Sequence, residues 1–154
     1  MDPTLRPLID TVLLRLQARF GADLVGVVLF GSRARGDARE GSDVDLFVLA
    51  RGLDASPMKR AVSLYAPPLP PGPDVALVLR TPEEFLSDVA PLDLDLALDG
   101  RVLFDRDGLV AESLARLRAL IDEAGLVRGE DLFWRWKVPP SRRDWAITWQ
   151  GVRR

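Results

Sequence analysis

The chain contains no cysteine and no histidine. The first absence excludes disulfides, thiol nucleophiles and zinc–thiolate sites; the second excludes a Ser-His-Asp hydrolase, an imidazole base and a histidine-ligated zinc. Asparagine is missing too, and two lysines stand against nineteen arginines. Loss of Asn and Cys suits a heat-adapted protein, while GC-rich coding would give the same arginine usage. No run approaches the roughly 18 apolar residues that suggest a membrane span. The first residues, with Asp2 and Pro3, lack the basic-then-apolar order of a secretory leader, so the expectation is a cytoplasmic protein. Any chemistry must run on carboxylates, hydroxyls, amines, guanidiniums and a metal ion. A length of 154 residues fits one domain with a substantial core. A net charge of −2 supplies no general attraction to nucleic acid.

The informative stretch is residues 24–50. An apolar run, residues 24–30, stops at Gly31-Ser32; ten residues later Asp43 and Asp45 open a second apolar run that continues to Ala50. The order is strand, glycine-serine turn, basic loop, then a strand carrying carboxylates at i and i+2. Side chains alternate along a strand, so Asp43 and Asp45 share a face, with Cα atoms roughly 6.5–7 Å apart. Two carboxylates so placed can converge on one cation or bridge two. Oxygen ligands without nearby nitrogen or sulfur favour Mg²⁺ or Mn²⁺ over zinc. Gly31 lets a phosphate approach the backbone. Ser32 offers a hydroxyl and an N–H at the start of a helical turn. Arg33, Arg35 and Arg39 are candidate phosphate ligands, and Gly36 and Gly41 let the loop return. Each piece alone describes an ordinary turn; in this order, between two apolar strands, the set points to a nucleotide triphosphate held against a divalent metal.

Gly31-Ser32, ten residues, then Asp43-x-Asp45, with Ala34-Arg35-Gly36 and Ser42 between, resembles the signature of minimal nucleotidyltransferases of the DNA polymerase β-like superfamily. Softer similarity runs from about residue 8 to residue 124. The resemblance implies an α/β (α+β) fold in which a mixed sheet is flanked by helices. It also implies Mg²⁺-dependent transfer of a nucleoside monophosphate from an NTP, with pyrophosphate leaving. On that likeness Gly31 and Ser32 bind the triphosphate, with Arg33, Arg35 and Ser42 beside them, and Asp43 and Asp45 hold metal. A third acid is expected on a neighbouring strand, and residues 73–85 look like the matching segment. There the family position is occupied by Ala76. Asp74, two residues earlier, is the candidate third ligand and general base, provided a register shift or bulge brings it into place; otherwise it is a turn residue.

Around this unit the pattern alternates. Residues 5–20 carry a helical apolar stripe ended by Gly21. Ser56-Pro57 starts a helix expected over 58–66, and the proline-rich span 66–73 is a stiff connector to a third strand. Thr81-Pro82-Glu83-Glu84 reads as a capped helix start. Residues 91–99 alternate Leu and Asp and fit helix or strand. Residues 101–105 read as a strand, 105–108 as a turn, and 109–124 as a helix stopped by Gly125. The expected organisation is a nucleotidyltransferase domain over 1–125 and an extension over 126–154. Residues 133–154 carry net charge +5 and all four tryptophans, Trp134, Trp136, Trp145 and Trp149. Three readings fit this extension: tryptophans covering the sheet, a protein interface, or a nucleic-acid surface.

The leading expectation is transfer of AMP from ATP to an acceptor hydroxyl. Stand-alone proteins of this kind resemble the antitoxin half of toxin–antitoxin pairs whose partner is a small helical HEPN-domain protein, which makes a protein side chain the favoured acceptor and a small molecule the alternative. If Ala76 replaces the third acid, a non-catalytic nucleotide- or partner-binding module is the competing reading.

Overall fold

The first helix, α1 (Arg6–Phe20), begins with proline in its first turn and ends at Gly21, whose φ of +53° suits glycine. Its inward residues Leu8, Ile9, Val12 and Leu16 recur at helical spacing and are buried. In the computed structural model, which describes residues 5–54, 56, 59–60, 69, 71–138 and 146–153, this helix covers one face of a four-stranded sheet. The strands are β1 (Leu24–Phe30), β2 (Val44–Ala50), β3 (Val75–Arg80) and β4 (Arg101–Asp105), in spatial order β3-β2-β1-β4. β1 pairs antiparallel with both β2 and β4, and β2 pairs parallel with β3, so the sheet is mixed as expected. A short helical turn, α2 (Gly31–Arg35), follows β1 directly.

The other face is covered by α3 (Pro82–Ser87), α4 (Pro91–Asp99) and α5 (Leu109–Ala124). β1 and β2 are buried from both sides, which explains their unbroken apolar runs. α5 crosses β1 so closely that a Cβ on Gly26 would lie 2.2 Å from Val110 Cγ2. Asp105 fixes the start of α5 by accepting the N–H groups of Val110 and Ala111 at 3.3 and 2.8 Å.

The ambiguous stretch 91–99 is the helix α4, and its aspartates explain why. Asp93 accepts the Ala90 N–H at 2.8 Å, satisfying a helix-start donor, and meets Arg80 at 3.0 Å in a fully buried position. Burial pushes the Asp93 carboxyl above its ordinary range, against the pull of the Ala90 N–H and Arg80. Asp95 and Asp99, one helical turn apart, both reach Arg128, at 3.0 and 2.6 Å. The helix expected over 58–66 lies outside the described residues except at Lys59 and Arg60, both helical; most of the proline-rich connector is likewise outside them.

Beyond Gly125, β5 (Leu126–Arg128) pairs with β6 (Trp134–Trp136), and β7 (Ala146–Thr148) with β8 (Gly151–Arg153). Trp134, Trp136 and Trp149 pack on the second core. Trp149 meets Phe85 edge-on at 5.3 Å between centroids and donates its indole N–H to the Phe85 and Asp88 carbonyls, both at 3.2 Å. These three tryptophans cover the core; Trp145 lies outside the described residues. No helix among the described residues is long and apolar enough to cross a membrane.

A forked ion pair fastens α3. Arg60 donates through both terminal nitrogens to Glu84 at 2.8 Å each, while Glu84 and Thr81 exchange capping hydrogen bonds at 2.9 and 3.2 Å. The Arg60 guanidinium holds the Glu84 carboxyl down at about 2. A depressed native pKa means the unfolded chain takes up this proton first, so the associated stability is complete above the ordinary value near 4.5 and is lost as pH falls towards 2. Glu84 is exposed, so solvent screening limits the effect to below about 1 kcal/mol. Melting curves from pH 5 to pH 2.5 should show a smaller acid-induced fall for Glu84→Gln than for the parent.

Candidate functional site

β1 delivers its last residue, Phe30, opposite Asp45 on β2, and Asp45 in turn stands opposite Ala76 on β3. The half-buried Asp45 carboxylate is therefore centred between two neighbouring strands. Gly31, next along the chain, has φ of +71°, and a Cβ there would lie 2.3 Å from Asp45 Oδ2. The turn and the carboxylate thus touch, and only a residue without a side chain permits it. Asp43 sits one residue before β2 and is exposed.

α2 carries the basic part of the loop. The Ser32 carbonyl accepts N–H groups from Gly36 at 2.9 Å and Asp37 at 3.1 Å, closing the turn, and Gly36 takes φ of +89°. Arg35 pairs with Asp37 at 3.1 Å. Ser42 and Arg39 lock each other: the Ser42 N–H donates to the Arg39 carbonyl at 3.0 Å, and the Arg39 N–H donates to Ser42 Oγ at 2.9 Å. Arg33 turns towards the start of β2, its Nε donating to the carbonyls of Ser42 and Asp43 at 3.0 and 3.1 Å and its Nη2 to Ser42 at 2.5 Å. Gly31, Ser32, Arg33, Ser42, Asp43 and Asp45 are in this way one connected unit.

Burial first, and then the neighbouring Asp43 charge, push the Asp45 carboxyl above its ordinary range, with Arg35 and Arg33 acting against them. Two negative charges repelling each other in a partly desolvated place are what a divalent cation would relieve. The donor set is oxygen only, and it fits Mg²⁺ or Mn²⁺, with phosphate and water oxygens completing the coordination. Asp74 is placed differently. It precedes β3, is exposed, and its backbone carbonyl accepts the Val44 N–H at 2.7 Å. Among the described residues no three acidic side chains gather closely enough to hold a metal. The position in register with Asp45 belongs to Ala76.

Sequence reasoning missed Arg101. From the first position of β4 it donates to the Ala34 carbonyl at 2.9 Å, bracing α2 from the opposite side of β1. The partners are 67 residues apart, and no local pattern marks the pair.

A glycine turn seated against a strand carboxylate, on a mixed sheet backed by helices, is the architecture of an enzyme that moves nucleotides. The chain belongs to the nucleotidyltransferase-domain family, whose model matches residues 9–124, and it is a nucleotidyltransferase. A Methanocaldococcus jannaschii protein, provisionally named a protein adenylyltransferase, is 32% identical over 125 residues, covering 78% of this chain and 85% of that one. Two crystal structures share the fold. One is a toxin–antitoxin with AMP-PNP, at TM-score 0.51 and 22% identity, covering 73% of this chain and 86% of that one. The other is a mutant toxin–antitoxin containing MntA, at TM-score 0.50 and 22% identity, covering 73% and 85%.

Proposed function

We propose that the protein transfers AMP from ATP to a hydroxyl of a partner protein, a small helical HEPN-type toxin, as the antitoxin of such a pair. The observation that carries this reading is the contact of the Asp45 carboxylate with the Gly31 turn, which sets a cation-seeking pair against a phosphate-accepting backbone. The provisional name of the M. jannaschii relative supports a protein acceptor, and the toxin–antitoxin neighbours support the partner class.

In this reading Gly31 and Ser32 receive the triphosphate through backbone N–H groups and hydroxyl, and Arg35 supplies positive charge beside it. Asp43 and Asp45 hold Mg²⁺ or Mn²⁺, which when bound neutralises triphosphate charge and polarises the α-phosphorus. The acceptor oxygen forms a bond to that phosphorus as the bond to pyrophosphate breaks. With Asp43 and Asp45 both committed to the cation, the acceptor's proton leaves to solvent water. Asp74 takes no step in this reading.

Ala76 beside Asp45 favours a second reading, a module that binds nucleotide and partner without transfer. ATP radiolabelled at the α-phosphate separates the two. Transfer predicts Mg²⁺-dependent label on the partner, lost when Asp43→Ala and Asp45→Ala are combined. Binding alone predicts that no label moves and that the double variant still holds its partner in a pull-down.

A further inference from the structure

We infer that Arg33 is a positioning residue: its guanidinium latches the backbone just before β2 to the α2 turn and so sets where Asp43 stands relative to Asp45 and Gly31. The assignment deepens the proposed reading, and the part of it that concerns the cation rests on that reading.

An arginine in a glycine-serine loop would ordinarily be taken for a phosphate ligand, since its planar fork matches phosphate oxygens. Here the fork is already engaged. Nε lies 3.0 Å from the Ser42 carbonyl and 3.1 Å from that of Asp43, and Nη2 lies 2.5 Å from Ser42. The accepting atoms belong to Asp43 itself and to the residue before it, so the contact acts on the chain that carries the carboxylates. That chain needs the restraint. Residues 36–43 form an exposed loop, apart from a half-buried Ser42, between α2 and β2, with Gly36 and Gly41 both at positive φ. The Arg39–Ser42 turn ties the loop only to itself, and Val44 ties β2 to Asp74 on the β3 side. Arg33 joins α2 to the end of the loop. Arg101 holds the same α2 turn from β4 through the Ala34 carbonyl at 2.9 Å. The turn is thus fixed to β4 on one side and to the β2 entry on the other.

The sign of the expected effect makes this testable. The Arg33 charge opposes the negative charge of Asp45, so considered as a charge alone Arg33 works against cation binding, and its removal should tighten uptake. A latch predicts the reverse, because loosening the entry to β2 lets Asp43 drift from Asp45, which the β1 and β3 ladders hold. Loss of an outer-shell partner of metal ligands commonly costs about 10–100-fold in affinity. Lysine keeps the charge and loses the planar fork, so Arg33→Lys and Arg33→Gln should move in the same direction.

The experiment uses the full chain with Mn²⁺ as probe, without nucleotide, together with amide hydrogen exchange on the metal-free protein; circular dichroism melts verify that both variants are folded. Expected are faster exchange at the Ser42 and Val44 amides and a rise of roughly tenfold or more in the Mn²⁺ dissociation constant for both variants. Unchanged exchange in both overturns the latch. Faster exchange with unchanged or tighter Mn²⁺ binding overturns the positioning role. A parent protein that takes up no Mn²⁺, either alone or with a non-hydrolysable ATP analogue, sinks the proposed function instead, and amide exchange still decides the latch.

Discussion

Gly31→Ala is expected to lower nucleotidyl transfer by about 100-fold or more, the scale on which a misplacement near 1 Å acts in an active site. Two effects coincide at this residue. Its φ of +71° is strained for any L side chain, and a Cβ would stand 2.3 Å from Asp45 Oδ2, far inside contact distance. The neighbour that must yield is the carboxylate itself, so the added methyl displaces a candidate metal ligand. Strain at a positive φ costs stability on the order of 1 kcal/mol, a loss that a domain of this size should survive. The variant should therefore remain folded at 25 °C, melt a few degrees lower and bind Mn²⁺ poorly. Gly36→Ala is the informative comparison. It has φ of +89°, but nothing lies within 4 Å of its added Cβ. It should show similar loss of stability with far smaller loss of Mn²⁺ binding, measured by titration calorimetry. Equal Mn²⁺ affinity in the two variants would remove the Gly31–Asp45 contact as the centre of the site.

The strand–turn–strand unit is legible in the sequence because its strands are buried on both faces and so appear as unbroken apolar runs; β1 and β2 occupy the residues those runs span. Residues 109–124 are legible for a different reason, an apolar stripe closed by a glycine that takes φ of +66°. Residues 91–99 are not. Alternating Leu and Asp has the period of a strand, and the chain is helical because Asp93, Asp95 and Asp99 find Arg80 and Arg128 elsewhere in the fold. Long-range partners of this kind leave no local trace. The same holds within the site. Three arginines in one loop look alike as sequence, and only the folded backbone shows that Arg33 meets the Ser42 and Asp43 carbonyls just before β2 while Arg35 meets Asp37. The relation of Asp74 to the carboxylate pair depends on the register of β2 against β3, which turn chemistry and apolar pattern leave open by two residues. The ladder that pairs Asp45 with Ala76 fixes it.

That register makes Ala76→Asp the substitution with the largest expected gain. Neighbouring strands lie about 4.8 Å apart, and laterally paired residues share a face, so a carboxylate at position 76 would project alongside Asp45. Ala76 is only half-buried, which leaves room for the larger side chain. Without metal a third negative charge joins a pair whose Asp45 carboxyl is already pushed up by burial and by Asp43, so the variant should melt below the parent. Mg²⁺ should then restore more stability to the variant than it adds to the parent, because stabilisation follows differential binding to the folded state. If transfer is limited by removal of the acceptor proton, a carboxylate placed there should raise the rate by about 100-fold, the lower end of general-base contributions. The readouts separate cleanly. A larger Mg²⁺-induced rise in melting temperature together with faster label transfer would show that the parent site works with one ligand fewer than it can accommodate. A larger thermal shift without faster transfer would mean that Asp43 and Asp45 already supply the chemistry. An unchanged thermal shift would mean that position 76 does not face the cation, and the two-carboxylate geometry proposed for this site would have to be redrawn.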